Sequence, residues 1–404
     1  MSPKKRIVLA YSGGLDTTFC IVWLQKERDA EVHTLTVNTG GLELEEARAI
    51  AERAASLGAT HHGVDARQEL FERFVTPLIQ GNVLRGHAYP LCVAAERVVQ
   101  AEQLARAARE LGADAVANGP TGAGNDQFRF DAVVRTLVPD LEALAPVREL
   151  GWSREQESAY LAEHGIEIPA ATTTYSVNAG LWGTTIGGGT IHDPWSAVPE
   201  EAFPEAPEPP GGPTELTVGF EAGVPGSLDG AAMDGVALVE ALNARGRQHR
   251  IGRGVHIGET ILGIKGRIAF EAPAPLLLIA AHRELEKLVL SRWQLYWKDH
   301  LADFYGNLLH EGLYYDPVVK DLEAFIRSSQ RVVTGEARVC LERGRFEVTG
   351  VRSPLSLMDQ RVATYGETTR AWSAEEATGF GKLRALSLSL AWQAGSGASG
   401  ADNQ

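Results

Sequence analysis

The chain has 404 residues, of which 44% are hydrophobic and 22% are charged. This composition is that of an ordinary globular protein and excludes a disordered, collagen-like or disulfide-stapled chain. Acidic residues outnumber basic ones by 52 to 38, for a formal net charge of −14, which argues against a nucleic-acid or anionic-membrane partner. The three cysteines (Cys20, Cys92 and Cys340) lie far apart, as expected of reduced thiols in a cytoplasmic protein. No apolar run approaches the roughly 18 residues of a membrane span.

Strands and helices alternate in the first part of the chain. Residues 6–12 form a short β-rich run closed by Gly13 and Gly14, and a helix is predicted to begin at Asp16. The further predicted elements are a strand over 31–38, helices over 44–58 and 93–112, and a strand over 113–119. Because such alternation is typical of a parallel sheet covered by helices, residues 1–170 are predicted to form one α/β domain.

The second half has a different pattern. Residues 199–213 hold six prolines and four glutamates, which predicts a linker or surface excursion. An α+β domain over 171–365 is predicted from strand-like runs at 215–223 and 258–273, a long helical tract over about 276–330, and a hairpin over 331–351 that turns at Arg343 and Gly344.

The last part of the chain is predicted to be a helical arm over 366–393. The segment from Ser373 to Glu376 matches a capping box and precedes leucines at helical spacing. We expect this helix to pack on a partner subunit. Residues 394–404 are rich in glycine and serine and are predicted to form a disordered tail.

A glycine-rich loop, Ser12-Gly13-Gly14-Leu15-Asp16-Thr17-Thr18, lies between the first strand and the first helix. In a parallel sheet this is the carboxyl edge, where ligands bind. Glycines let backbone N–H groups approach an anion, and the helix N-terminus adds unpaired donors. The hydroxyls add further donors, and Asp16 can hold a magnesium ion that neutralises phosphate oxygens. The loop is neither GxxxxGK[ST] nor GxGxxG, so it predicts a phosphate site of another kind; the alternative is a tight turn with a capping hydroxyl.

A second polar loop, Gly119 to Gln127, follows the predicted strand at 113–119. Thr121 and Asn125 suit a carboxylate and Asp126 suits an ammonium group, so the loop is suited to a zwitterionic amino acid. Arg129 adds a fixed charge for a second carboxylate or a phosphate. Taken alone, the segment is equally compatible with a polar loop that ends in a capping aspartate.

The first loop resembles the SGGLDT[ST] signature of the pyrophosphate-loop ATPases, which split ATP between the α and β phosphates. Within that class, nearly the whole chain resembles the argininosuccinate synthase family. The resemblance is carried by AYSGGLDTT (10–18), GPTGAGNDQFRF (119–130), YS…LWGTTIGGG (175–189) and GIKGR…FEAP (263–273). It implies an adenine nucleotide alpha hydrolase-like domain and a synthetase domain that join citrulline to aspartate with ATP and Mg²⁺. It also implies a cytoplasmic homotetramer assembled through the C-terminal arm.

The resemblance also implies roles for individual residues. ATP contacts are expected at Ala10, Tyr11, Ser12, Gly13, Gly14, Leu15, Asp16, Thr17, Thr18, Val37 and Gly119. Citrulline or aspartate contacts are expected at Tyr89, Thr121, Asn125, Asp126, Arg129, Ser176, Thr185 and Glu259. Asp16, Asp126 and Arg129 are expected to be catalytic, and Asp16 is expected to hold the metal. Without the resemblance, Tyr89, Ser176 and Thr185 would be interpreted as a buried tyrosine and two loop hydroxyls.

Several positions depart from the commonest form of the family. Ala94 replaces a citrulline-binding serine, Phe270 replaces a tyrosine, and Asn118 replaces a histidine, whereas Thr185 keeps the hydroxyl of a serine. Glu259 is offset by a one-residue gap from the glutamate that contacts the citrulline amine. Because the changes cluster at the ureido-acid pocket, two alternatives stay open: an adenylating ligase with another ureido or amide acceptor, and a non-catalytic nucleotide-binding homologue. A tRNA-thiolating relative would need a reactive cysteine pair, and a glutamine-dependent synthetase would need a glutaminase segment.

Overall fold

The computed structural model describes residues 4–120, 122, 124–166 and 174–399. The chain divides into two compact units, one that ends at Leu355 and one that begins at Ser356. The larger unit contains the parallel sheet, two antiparallel sheets and most of the helices.

A five-stranded parallel sheet is built from the first part of the chain, as predicted. Its strands are β1 (Arg6–Ala10), β2 (Glu31–Asn38), β3 (Thr60–Asp65), β4 (Ala115–Ala117) and β5 (Glu142–Leu144). Their order is β3-β2-β1-β4-β5, and every neighbouring pair is parallel. From β1 the chain adds β2 and β3 on one side of the sheet, and it then adds β4 and β5 on the other side. This change of side between β1 and β4 opens a crevice at the carboxyl ends of the strands.

Helices cover both faces of this sheet. They are α1 (Leu15–Glu27), α2 (Leu44–Ser56), α3 (Arg67–Leu70), α4 (Thr76–Gln80), α5 (Ala94–Glu110), α6 (Asp126–Leu137), α7 (Pro146–Leu150) and α8 (Arg154–Glu163). A π-helical turn over Phe71–Val75 joins α3 to α4. The sequence pattern identified α1, α2 and α5 within a few residues of their observed ends.

Successive side chains of β1 enter two separate hydrophobic cores, one on each face of the sheet. Ile7 and Leu9 pack with the buried residues of α1, such as Phe19. Val8 points to the opposite face and belongs to a larger core with Val98 of α5. Because successive strand residues face opposite sides, the one strand that leads into the glycine loop is fixed from both faces.

The rest of the larger unit is α+β, as predicted. Its strands are β6 (Tyr175–Gly180), β7 (Gly183–Gly188), β8 (Thr214–Glu221), β9 (Val224–Leu228), β10 (Ala231–Ala232), β11 (Arg253–Glu259), β12 (Lys265–Glu271), β13 (Gly335–Glu342) and β14 (Arg345–Arg352). Its helices are α9 (Gly235–Gln248), α10 (Pro273–Val289), α11 (Arg292–Glu311) and α12 (Pro317–Gln330). The strands form two antiparallel sheets with the orders β11-β12-β7-β6 and β10-β9-β8-β13-β14.

Two predictions for this region need correction. The run at 258–273 is not one strand, because a turn over 260–264 separates β11 from β12. The helical tract predicted over about 276–330 is three helices. The first break lies before Ser291, whose side chain caps α11 in a capping box. The second runs from left-handed Gly312 (φ 79°) to Asp316, whose side chain caps the helix that begins at Pro317.

The smaller unit contains the short strands β15 (Ala363–Thr364) and β16 (Thr368–Thr369) and the helix α13 (Ala374–Ser399). The predicted capping box is confirmed: Ser373 N donates to Glu376 Oε2 (2.7 Å) and Glu376 N donates to Ser373 Oγ (3.2 Å). The helix continues through Ser399, so residues 394–399 are helical rather than disordered, and residues 400–404 lie outside the described part. Among the described residues, no helix is both long enough and apolar enough to cross a membrane.

Candidate active site

The glycine loop leads directly from β1 into α1. Gly13 adopts φ +74°, which disfavours other residues, and a Cβ there would come within 2.9 Å of Ile50 Cγ1. No side chain caps the N-terminus of α1 at Gly14, so its free N–H groups remain available to an anion. Ser12 Oγ lies 3.3 Å from Thr17 Oγ1. The loop therefore presents backbone and hydroxyl donors to the crevice.

The second polar loop lies against the first. A Cβ on Gly119 would come within 3.0 Å of Thr17 Cγ2, so a side chain at position 119 would require Thr17 to shift. The preceding residue, Asn118, donates its backbone N–H to Leu144 O (3.1 Å), and its side-chain Oδ1 is buried without a partner among the described residues. The two loops predicted to act together are thus neighbours in space.

A cavity of about 680 Å³ opens where these loops meet. Eleven residues predicted to bind ligands line it: Ala10, Tyr11, Ser12, Gly14, Leu15, Asp16, Thr17, Val37, Gly119, Asp126 and Ser176. Gly13 and Thr18 belong to the same loop but do not line the cavity, and Thr18 is fully buried. The cavity lies at the carboxyl ends of β1, β2 and β4, as expected for a parallel sheet.

Two carboxyl groups approach each other at the start of α1. Asp16 lines the cavity, and Glu157 of α8 lies beside it, 1% exposed, with Oε2 unpartnered among the described residues. Burial and then the neighbouring Asp16 raise the pKa of Glu157 to about 7. Of the two, only Asp16 lines the cavity, and one carboxylate with nearby hydroxyls fits Mg²⁺, which typically takes one or two carboxylates besides phosphate oxygens. Among the described residues, no group of three or more His, Cys, Asp and Glu side chains could form a fully protein-bound metal site.

Asp126, the first residue of α6, is held by two arginines. Its Oδ2 accepts from Arg97 Nε (2.8 Å), and its Oδ1 accepts from Arg129 Nη1 (3.0 Å). Burial alone would raise the pKa of Asp126, but the Arg97 and Arg129 guanidinium groups outweigh it and lower the pKa below its ordinary value. The carboxylate therefore stays ionised at the cavity wall, as binding of an ammonium group requires.

Arg129 is more deeply buried than its predicted role suggested. It is 4% exposed, does not line the cavity, and donates from Nε to the carbonyl of His310 (3.0 Å). Its Nη2 lies 3.3 Å from His310 Nδ1. Burial and then Arg129 lower the pKa of His310 to about 3, so the neutral imidazole accepts this bond. The guanidinium is thus used by the protein itself, and direct substrate contact stays a prediction.

The residues predicted for the ureido-acid pocket gather on one face of the β11-β12-β7-β6 sheet. Thr185 pairs with Asn178 on one side and with Phe270 on the other, so the three side chains share a face. Ser176, two residues from Asn178, lies on the same face. Tyr89 packs over it, with its ring 5.4 Å from that of Phe270. The sequence therefore identified residues that the fold brings together.

The remaining predicted contacts lie at the hairpin between β11 and β12. Asn125 Oδ1 accepts from the N–H of Ile261 (2.9 Å), which ties the loop before α6 to this hairpin. The Glu259 side chain is 56% exposed and pairs with Lys265 (2.8 Å) rather than with a cavity residue. Thr121 lies outside the described residues.

The polar cavity residues that the sequence reasoning missed include Arg97, Arg154 and Asn178. Arg97 bridges Asp126 and Asn178 Oδ1 (3.1 Å) from the first turn of the amphipathic helix α5, where an arginine is normally a solvated residue. Arg154, at the start of α8, makes no ion pair within the described part of the chain. A preceding Ser-x-x-Gln capping box was the available signal for this helix start.

Comparisons with known proteins agree with this geometry. A family model of the arginosuccinate synthase N-terminal HUP domain matches residues 6–167, and one of the C-terminal domain matches residues 175–391. The parallel sheet, the glycine loop and the cavity thus define a nucleotide-binding protein of the HUP class. The argininosuccinate synthase of Symbiobacterium thermophilum is 42% identical over 91% of this chain and 92% of its own. The chain belongs to the argininosuccinate synthase family, whose members are ATP-dependent ligases that use small-molecule substrates.

Other relatives show that the similarity is not limited to one lineage. The argininosuccinate synthase of Dictyoglomus turgidum is 41% identical over 95% of this chain and 96% of its own. That of Pyrococcus furiosus is 39% identical over 96% of this chain and 94% of its own. These relatives match the chain over nearly its full length.

Proposed function

We propose that the chain converts ATP, citrulline and aspartate into argininosuccinate, AMP and diphosphate in the cytoplasm, as a step of arginine biosynthesis. The observation that carries this proposal is the cavity whose wall combines the free N-terminus of α1 with the ion-paired Asp126. The first group suits a leaving diphosphate, and the second suits the amine of an amino acid. A catalytically inactive nucleotide-binding protein would not need both.

The first step is attack of the ureido oxygen of citrulline on the α-phosphorus of ATP. Diphosphate leaves toward the loop from Ser12 to Thr18, where N–H and hydroxyl donors stabilise its developing charge. Asp16 would hold Mg²⁺, which supplies neutralisation of the phosphate charge when it is bound. Burial of the β1 strand on both faces keeps the donor atoms in fixed positions, so little reorganisation accompanies the reaction.

In the second step the aspartate amine attacks the adenylated ureido carbon, and AMP leaves. Asp126 binds the ammonium form of that amine before the step, and Arg97 and Arg129 keep Asp126 ionised and oriented. The ammonium group releases one proton to water before the neutral amine attacks. No side chain needs to act as a nucleophile. Ser176, Thr185 and Tyr89 are proposed to hold the citrulline backbone atoms on the shared face of the sheet.

A functional division near residue 170 is also part of this proposal. The nucleotide side is assigned to residues 1–170 and the synthetase side to residues 171–365, even though one hydrophobic core joins Val8 to residues as distant as Leu341. Substrates would therefore bind between two parts that do not fold separately.

The direct test measures AMP and diphosphate together while the acceptor is varied. We expect both products in equal amounts when ATP, citrulline and aspartate are present, and neither when aspartate or citrulline is omitted under multiple turnover. Buried Ala94 and Phe270 make a panel of other ureido acids informative. Faster turnover with another ureido acid would assign a different acceptor, and absence of AMP with every acceptor would refute ligase activity.

Arg154→Ala is expected to raise the KM for ATP by about tenfold or more, because a hydrogen bond to a charged group contributes about 1.5–3 kcal/mol. The reason is that Arg154 lines the cavity beside the glycine loop and has no ion-pair partner among the described residues. Steady-state kinetics with ATP varied provides the measurement. Arg135→Ala removes an arginine whose side chain is 65% exposed and lies outside the cavity, so it serves as the control; equal KM values for the two variants would contradict a phosphate role.

The C-terminal arm is proposed to join four copies of the chain. On α13, Leu383, Leu386 and Leu390 follow helical spacing and are 75%, 56% and 58% exposed in the single chain. The double variant Leu383→Glu/Leu390→Glu is expected to yield a smaller species, because charges on this face oppose its burial. Light scattering after size-exclusion chromatography measures the mass. Ala385→Glu, on the opposite side of the same helix from these leucines, is the control, and a double variant that keeps the wild-type mass would contradict the assignment.

A further inference from the structure

Glu96 is a buried acid that the reaction described above does not use. It lies on α5, is 1% exposed, and has Oε1 without a hydrogen-bond partner among the described residues. The backbone N–H of Trp182 donates to this carboxyl group, so the group is satisfied only in part, which is costly when it is buried. Its neighbour along the chain is Arg97, which bridges Asp126 and Asn178 at the cavity wall.

The Glu96 side chain occupies the space beside Gly180 at the end of β6. A Cβ on Gly180 would come within 1.7 Å of Glu96 Oε1 and 2.4 Å of its Cδ. A contact this short excludes every side chain at position 180 while Glu96 keeps its position. The carboxyl group thus sets the separation between α5, which carries Arg97, and β6, which carries Asn178 and Ser176.

The β6–β7 turn that receives this contact is itself anchored. The N–H of Leu181 donates to the carbonyl of Thr39 (3.0 Å), and the Trp182 indole donates to the carbonyl of Pro90 (2.9 Å). Because these bonds hold the turn in place, a change at Glu96 is expected to move α5 rather than the turn.

The groups that act on Glu96 favour its protonated form. Burial raises the pKa of Glu96 to about 8, Arg97 opposes the rise, and Asp126 adds to it. Cys92 and Tyr89 of the same region also face it, and burial raises the pKa of both groups, so they are neutral. The described residues of the β6–β7 hairpin contribute backbone and no charged side chain at this contact.

We propose that Glu96, as a neutral acid, is a positioning residue that keeps Arg97 directed at Asp126 and Asn178. The inference rests on the proposed function, since Asp126 is there assigned to the amine of the aspartate substrate. Loss of the proton places a second carboxylate beside Arg97. Glu96 then competes with Asp126 for the same guanidinium, and the amine-binding carboxylate loses its orientation.

The pH dependence of the reaction tests the proton. Wild-type kcat/KM for aspartate is expected to fall as the pH rises through about 8, whereas Glu96→Gln, which resembles the neutral acid, keeps its activity and shifts this fall upward by at least one pH unit. Glu110→Gln, an exposed change on the same helix, is expected to retain the wild-type profile. An alkaline fall that is identical in wild type and Glu96→Gln overturns the inference.

Thermal unfolding provides a readout that does not depend on activity. The folded-state pKa of Glu96 lies above its ordinary value of 4.5, so the unfolded chain loses this proton first as the pH rises. Wild type should therefore lose stability relative to Glu96→Gln from about pH 5 to pH 8, with a constant difference above that range. If no acceptor yields AMP yet this difference appears, the proposed function fails while the ionisation of Glu96 stands. A pH-independent difference overturns the inference.

A double substitution tests the steric contact. Gly180→Ala is expected to lower both the unfolding temperature and the turnover. Glu96→Ala in the same chain should restore part of both, because it removes the atoms that the new Cβ meets. The control is Gly180→Ala combined with Glu110→Gln, which leaves the Glu96 atoms that the new Cβ meets in place. If Glu96→Ala gives no more recovery than the control, Glu96 does not set the distance between α5 and β6.

Discussion

Asp16→Asn is expected to lower kcat for AMP formation by about 10²–10³-fold, the usual loss when one group that stabilises transition-state charge is removed. Asp16 lines the cavity in the first turn of α1 and is the residue proposed to hold Mg²⁺. The amide has nearly the same volume but carries no charge with which to bind the ion. A continuous diphosphate-release assay measures the loss.

Two further measurements distinguish a loss of catalysis from a loss of folding: ATP binding by Asp16→Asn and the activity of a variant on the surface. Asp140→Asn changes an exposed aspartate that pairs with Arg109, and it should retain wild-type kcat. The unfolding temperature of Asp16→Asn should not fall, since the change also relieves the repulsion between Asp16 and Glu157. A variant that is folded, binds ATP and turns over at the wild-type rate would remove Asp16 from the mechanism.

Arg97→Ala is expected to reduce kcat/KM for aspartate by about 10–10²-fold, because the amine-binding Asp126 loses a charge-assisted hydrogen bond of about 1.5–3 kcal/mol that keeps it ionised and oriented. The Arg97 side chain is 14% exposed, and its Nε–H donates to Asp126 Oδ2 at 2.8 Å. Without it, burial raises the pKa of Asp126 and weakens its hold on an ammonium group. Steady-state kinetics with aspartate varied at saturating ATP and citrulline provides the measurement.

Arg97→Lys sharpens this test. Lysine keeps the charge but cannot reach Asp126, Gln100 and Asn178 at once as the guanidinium does, so an intermediate loss is expected. Arg106→Ala changes a side chain on the same helix that is 55% exposed and serves as the control. A loss confined to the KM for ATP would instead assign Arg97 to the nucleotide.

The fold and half of the site could be predicted because local patterns determine them. The continuous apolar run of β1 and the glycine at each loop have causes within a few residues, so the parallel sheet and the phosphate loop follow from short segments. The contact between Gly119 and Thr17 joins two such segments that lie at the same edge of one sheet. The long helical tract was harder, because the breaks at Ser291 and Gly312 are weak signals within a continuous leucine-rich pattern.

The charged residues of the interior could not be predicted. Lys298 and Glu286 are fully buried and 3.1 Å apart, although each type is normally exposed. Glu96 and Arg97 occupy an amphipathic helix in which the sequence offers no sign of which polar residue faces inward. Lys298 is also held by the carbonyl of Gln80, 218 positions away, and Glu286 by Asn82, 204 positions away. Glu96 is accommodated by a glycine that leaves room for it, and none of these causes is visible in a short window.

The wall of the cavity is shared between distant stretches of chain. Gly40, at φ +103°, lies so close to the backbone of Leu181 that a Cβ would come within 2.3 Å of its nitrogen. Gly40 lies in the region matched by one family model, residues 6–167, and Leu181 lies in the region matched by the other, residues 175–391, so this contact joins the two regions. Because one hydrophobic core also joins the two regions, a gene cut between them would encode two fragments that each lack part of the cavity wall and of that core. Co-expression of such fragments would restore turnover only after the contact between Gly40 and Leu181 had formed again.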